Sequence, residues 1–316
     1  MAITDTEHFS ALVERCNDAV DHSPGGMVTG AAALALSGCD LPRALEDEAL
    51  NGPVEVSQGV ARLRSASGRA HRHAKPAQPW RFTCGVPLAP PGDWLAQLAA
   101  NHLPSGYYFP PTRRQSWDKL GRHGRARRLR TILGLGGLPW PLADFTVEPH
   151  RSFAGLVMAA DALMRGEAAW VTKADLLGSV ESLGARPGVK TARLVVALAE
   201  PGTDSNPETW VRPVLRDCGL PRGMVNRPVK DGSGKIVRYE DLGLEHYPAG
   251  IEYQGRYHFE SVDQFYADME RREQLRCLGH AMIEVGAKDL RDQHRLVRRV
   301  ATELARIEGV KLPPPT

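Results

Sequence analysis

The chain has 316 residues, 42% of them hydrophobic and 24% charged, with 40 Lys and Arg against 37 Asp and Glu. That length suits two or three modest domains, and the composition is that of a globular chain, not a low-complexity one. A net charge of +3 is too small to hold nucleic acid by bulk charge, so any such role must rest on local clusters.

The first residues lack the basic and apolar regions of a signal peptide. No run approaches the roughly 20 apolar residues of a membrane span. Cys16, Cys39, Cys84, Cys218 and Cys277 are scattered, odd in number and without CxxC spacing. They read as free thiols of a reducing cytoplasm, not as a zinc site or a disulfide frame. His71 and His73 have no cysteine pair beside them, which leaves too few ligands for a structural zinc.

In chain order, residues 6–21 carry an amphipathic helix pattern through Phe9, Leu12, Val13 and Val20. After the break at 23–26, Thr29 is expected to cap a small-residue helix. Val54–Ser57, Val60–Leu63 and Trp80–Thr83 are short strand candidates, and residues 94–100 a helix. Residues 1–100 therefore suggest a winged-helix-like module. Residues 101–150 form a Pro-rich connector holding a one-signed cluster: Arg113, Arg114, Lys119, Arg122, Arg125, Arg127, Arg128 and Arg130. Tyr107, Tyr108 and Trp117 stand among or beside them. Such a stretch can track a phosphate backbone, or it can be a solvated arginine-rich face. Residues 151–200 read as helices, at 153–164, 173–180 with Thr172 as cap, and 189–200.

Residues 201–316 have the clearest pattern. Ser205 can cap a helix over 209–218, ended by Gly219. Strands follow at 224–230, 235–244 and 251–258, the first two joined by the Asp231-Gly-Ser-Gly234 turn. A charged helix over 262–278, a strand at 280–285 and an amphipathic helix at 290–307 complete the order helix, three strands, helix, strand, helix. The class expected is α/β, or α+β overall.

Within this order, Asp241 lies on one strand and Glu252 and Gln254 on the next, joined by the Tyr247-Pro-Ala-Gly250 turn. Residues two apart on a strand share a face. If the strands pair, Asp241 lies beside Glu252. Two carboxylates in an apolar hairpin need a cation between them, and oxygen ligands suit Mg2+. The pattern points to metal-dependent hydrolysis of phosphodiesters. Taken singly, each acid also suits a plainer role: Glu208 at a helix N-terminus, Asp241 and Glu252 at a strand surface.

The last third resembles the PD-(D/E)XK nuclease superfamily, and within it the endonuclease-domain proteins related to very-short-patch-repair endonucleases. The residues that carry the resemblance are Ser205-x-x-Glu208-Thr209, Asp241, Glu252-Tyr253-Gln254-Gly255, His258, Asp268, Arg271, Arg272 and Gly279. More weakly, Val28–Gly38 and 85–100 resemble the N-terminal part of AbiEi-type antitoxins. The resemblance implies a restriction-endonuclease-like αβββαβα core over 201–316. It implies Mg2+ (or Mn2+) on Asp241 and Glu252, with Glu208 holding a second metal or orienting a ligand. His258 becomes a general base or a phosphate partner, and Arg271 and Arg272 phosphate contacts. The partner implied is double-stranded DNA, in restriction, phage defence or repair, with a homodimer or a partner protein left open. Gln254 departs from the pattern, since the superfamily carries Lys there and nearer relatives often Asp. That neutral amide keeps a second expectation alive: a non-catalytic, antitoxin-like DNA-binding regulator on a nuclease scaffold.

Overall fold

The computed structural model describes residues 6–59, 68–73, 78–103, 117–135, 147–165, 169–203, 206–254 and 262–312. By its contacts the chain divides into two units, Met1–Tyr107 with Val147–Gly202, and Tyr108–Thr146 with Thr203–Thr316. Both are mixed α/β. These seams differ from the four expected segments: the connector helix belongs with the C-terminal unit, and the 151–200 helices belong with the N-terminal one.

In the first unit, helix α1 (Thr6–Asp21) leads to strand β1 (Met27–Thr29) and the helices α2 (Gly30–Leu36) and α3 (Arg43–Asn51). Strands β2 (Val54–Gly59), β3 (Gly68–His73), β4 (Arg81–Thr83) and β5 (Val86–Leu88) follow, then α4 (Pro91–His102). The sheet order is β3-β2-β1-β5-β4, with β1/β5 and β2/β3 parallel and the other neighbours antiparallel. A five-stranded mixed sheet exceeds the three short strands expected for a winged-helix-like module. β1, β3 and β5 were not expected, and the expected strand at 60–63 lies outside the described residues. Thr29 stands at the N-cap of α2, but its hydroxyl caps nothing and is buried without a partner. Thr172 does cap, in a reciprocal pair with Asp175 at the start of α7 (Lys173–Glu181). Helix α6 (Val147–Met164) and helix α8 (Val189–Leu198) complete this unit.

In the second unit, a 3-10 turn at Trp117–Lys119 precedes helix α5 (Arg122–Ile132). Helix α9 (Asn206–Asp217) is ended by Gly219 at φ +65. Then come β6 (Gly223–Lys230), β7 (Ile236–Leu244), β8 (Ala249–Gln254), helix α10 (Val262–Cys277) and β9 (Ala281–Gly286). The expected order of elements is present. The expected single last helix is two, α11 (Ala287–Arg291) and α12 (Gln293–Ile307). Asp292 breaks them apart because its carboxylate takes the Arg295 amide at 3.1 Å, starting a new helix there.

The sheet order is β6-β7-β8-β9, antiparallel except for the β8/β9 pair that α10 connects. One face is apolar. Leu242, Leu244, Ile251, Ile283 and Val285 pack there against Val211, Val214 and Leu215 of α9, Leu129 and Ile132 of α5, and Leu296 and Val300 of α12. Neighbours on a strand point to opposite faces, so Glu252 and Glu284 point away from this core. Arg272 of α10 reaches Glu284 at 2.7 Å, which puts α10 on that second face.

Candidate functional site

The middle of β7 is where the ladder changes. β6 and β7 pair at Val225↔Leu242 and Arg227↔Glu240 in one register, with Asn226 and Asp241 left unpaired between them, and the register itself shifts further along, at Val229/Lys230. Asn226 has φ +48, the left-handed region that Asn tolerates better than most residues. β7 pairs with β8 at Leu242↔Ile251 and Gly243↔Gly250. At the next position the Asp241 side chain takes over: its Oδ2 accepts the Tyr253 amide at 3.2 Å. Asp241 is thus fixed against β8 by a backbone group one residue from Glu252.

Arg238 and Glu240 both reach β8, Arg238 at Glu252 and Glu240 over Gly250. Two glycines facing each other, Gly243 and Gly250, leave space on the α10 side. A Cβ on Gly243 would stand 2.0 Å from Arg227 Nε, and one on Gly250 would stand 2.2 Å from Glu240 Oε1. The side chains of Arg227 and Glu240 therefore lie across these glycines. Glu240 is fully buried, and Arg227 meets its Oε2 through Nε at 2.9 Å and Nη2 at 2.8 Å. The same guanidinium donates to the carbonyls of Leu244 (2.6 Å), Tyr247 (2.9 Å) and Ala249 (2.8 Å). It ties the whole β7–β8 turn to one buried carboxylate. His280 Nδ1 stands 3.0 Å from Glu240 Oε1, out of line for a hydrogen bond.

Glu252 is 7% exposed and paired with Arg238, whose Nη2 touches its Oε1. Its pKa is raised: burial is the main cause, the Asp241 charge pushes the same way, and Arg238 opposes both. Asp241 and Glu252 are therefore within Coulombic reach of each other, as the hairpin pattern suggested. Beyond them, Glu252 lies opposite Glu284 in the parallel β8/β9 register, and Arg272 balances that acid. Two carboxylates offering oxygen ligands on fixed strands suit a hard divalent ion such as Mg2+. The ion would compete with Arg238 for Glu252.

The other expected site residues are placed as follows. Glu208 sits half-buried in the first turn of α9, where its charge complements the helix dipole. α9 packs on the apolar face, opposite to Glu252, so the three expected carboxylates do not gather. Among the described residues, three or more potential ligands come within 4.8 Å of one another at Asp118, Glu245 and His246 instead. Gln254 ends β8 opposite Gly286, and its side chain lies outside the described residues. His258, Arg113 and Arg114 lie outside them too, as does the side chain of Arg271.

The arginine cluster divides. On α5, Arg125 pairs with Glu308 at 2.9 Å and Arg128 donates to the Gly219 carbonyl at 2.9 Å. Both are held to the body of their unit. Arg122, Arg127 and Arg130 are exposed. Arg272 is committed to Glu284.

Three features had escaped the sequence reading. Arg238 had no visible partner because its approach to Glu252 depends on how β7 lies against β8. Arg227 and Glu240 could have been suspected from the facing glycines. The Asp118 group joins positions more than 120 residues apart, on exposed turns beside the buried Trp117 and Tyr247, whose Nε1 and hydroxyl lie 3.2 Å apart.

Comparison with protein-family models, curated proteins and solved structures gives no match to this chain. No helix among the described residues is long and apolar enough to cross a membrane. The five cysteines form no disulfide with one another.

Proposed function

We propose that the chain is a divalent-metal-dependent endonuclease acting on double-stranded DNA. The observation that carries this reading is the convergence of Asp241 and buried Glu252 on adjacent strands, with Asp241 fixed by the Tyr253 amide. Glu252 is buried and Asp241 half-buried beside it, and a single guanidinium, Arg238, stands against Glu252; carboxylates so placed are costly to hold without a further cation. The order helix, three strands, helix, strand, helix with β8 and β9 parallel supports a restriction-endonuclease-like core.

Asp241 and Glu252 would hold Mg2+ or Mn2+ from the second face of the sheet. The ion supplies Lewis acidity at the scissile phosphate and a lowered pKa for an attacking water. Arg227 and Glu240 act earlier, by fixing the turn that sets the distance between β7 and β8. Gln254, next but one after Glu252 on β8, can orient a water through its amide. His258 is proposed as the proton acceptor or phosphate partner, and Glu208, on the opposite face of the sheet, is left out of the metal site. Arg122 and Arg127 offer phosphate contacts on the exposed side of α5.

The test is incubation of the purified chain with plasmid DNA in Mg2+, Mn2+ or chelator. Nicking or linearisation that needs the metal and disappears in Asp241→Ala and Glu252→Ala is the expected result. Cleavage that survives both changes sinks the reading. A second reading, a non-catalytic DNA-binding regulator, is favoured by Arg238, which already neutralises Glu252. It predicts metal-independent, salt-sensitive DNA binding and no cleavage.

A further inference from the structure

We propose that Arg238 is the resident counter-ion of the Asp241–Glu252 pair, displaced when a divalent cation binds and then free to hold the phosphate of a nucleic-acid backbone. The inference rests on the nuclease reading above and assigns a role to a residue outside the expected site. Its basis is how the charges are shared out. Arg227 is committed to Glu240 and three carbonyls. Arg272 is committed to Glu284. Arg238 is the guanidinium in contact with Glu252.

Arg238 also has somewhere to go. Its side chain is 25% exposed and lines a groove of about 260 Å³ between β7 and α10, with Val237, Tyr239, Gln274 and Leu275. Arg238, which touches Glu252, presents to the groove a planar guanidinium with several donors, which matches the geometry of a phosphate. Val237 and Tyr239 give it exposed apolar walls. A cation seated on Asp241 and Glu252 removes the attraction that holds Arg238 in place. It also repels the guanidinium, which then meets an anion in the groove at lower electrostatic cost.

The two roles give changes of opposite sign. Arg238→Ala removes the competing cation, so metal binding tightens. It also removes a phosphate contact, so DNA binding weakens. Coulombic repulsion at a few ångströms, between the limits of bulk water and a protein surface, puts the gain in metal affinity between about fivefold and a thousandfold. The loss of one phosphate contact lowers the salt dependence of DNA binding by roughly one unit of log–log slope.

The experiment is Mn2+ titration of the full chain, read from the paramagnetic resonance of free Mn2+, for wild type, Arg238→Ala, Arg238→Lys and Glu252→Gln. A salt series of duplex DNA binding in Ca2+ accompanies it. Circular dichroism checks that each variant is folded, and Arg238→Lys retains the charge should the alanine variant not fold. Tighter Mn2+ binding by Arg238→Ala, near-wild-type binding by Arg238→Lys and a shallower salt slope for Arg238→Ala support the proposal. Unchanged or weaker Mn2+ binding by Arg238→Ala, with wild-type binding still abolished by Glu252→Gln, overturns it and leaves the nuclease reading intact. Mn2+ binding by wild type that Glu252→Gln does not affect overturns both.

Discussion

Arg227→Ala is the most demanding test of how the β7–β8 turn is held. The substitution leaves Glu240, which has no exposure, without the guanidinium that meets it at 2.8 and 2.9 Å. Removing one partner of a buried ion pair costs about 3–5 kcal/mol. Three carbonyls at Leu244, Tyr247 and Ala249 also lose a donor. Each would cost ~1–3 kcal/mol if it stayed dry, but water can enter the space left by the guanidinium and recover much of that. The total belongs near the top of the ion-pair range, a large share of the ~5–15 kcal/mol that holds a typical domain. Since the chain has two units, a single denaturation midpoint is not enough. The assay is hydrogen exchange at the amides of 242–251 alongside urea denaturation followed by two probes. Arg227→Ala combined with Glu240→Gln removes the stranded charge, so a double-mutant cycle should show strong coupling. A loss below about 1 kcal/mol, or strictly additive effects in that cycle, would refute the assignment of Arg227 as the tie.

Gly250→Ala places a Cβ 2.2 Å from Glu240 Oε1; overpacking of this kind costs about 1–3 kcal/mol, and a melting temperature equal to wild type would contradict the facing-glycine account. In the first unit, His102 Nε2 lies 2.8 Å from Glu48, and this hydrogen bond raises the His102 pKa above its ordinary value. The stabilisation is fully present below the unfolded histidine pKa of ~6.5 and is lost as pH rises through the folded value. The stability advantage of wild type over His102→Gln should therefore shrink from pH 6 to pH 9, and an advantage that grows over that window contradicts the pairing. On α5, Arg122→Ala and Arg127→Ala should weaken DNA binding and lower its salt slope with little effect on stability. Arg125→Ala should instead lower stability, because its partner Glu308 is largely buried; equal behaviour of the two classes in both assays would remove the division drawn between them.

The C-terminal unit was largely legible in the sequence, and the reasons are physical. Strand and helix periods differ, so Ile236–Leu244 and Gln293–Ile307 announce themselves. The Asp231–Gly234 turn does so through its residue types: Asp231 takes the Ser233 and Lys235 amides, and Gly234 sits at φ +86. The Asp241–Glu252 approach was legible because hairpin register follows from the turn. The break in pairing at Asn226 and Asp241 was not, since a single left-handed residue, Asn226, carries no pattern of its own. Arg238 and Glu240 went unnoticed because their partners, Glu252 and Arg227, lie on neighbouring strands. Glu208 joins the pair only through the resemblance, and the face α9 packs against is a matter of tertiary contacts. In the N-terminal unit, three-residue strands such as β1 and β5 are too short for periodicity to register. Arg125 and Arg128 shared a charge run with exposed neighbours, and only packing against α12 and the α9 C-terminus separates them.

The measurement that bears most directly on the proposed function is metal-dependent cleavage of supercoiled plasmid by wild type, Asp241→Ala and Glu252→Ala, each checked for folding. Conversion to nicked or linear DNA by wild type in Mg2+ or Mn2+, absent with chelator and in both variants, is the predicted result. Folded wild type that binds DNA without cleaving it under any metal, or cleavage retained by the variants, contradicts it.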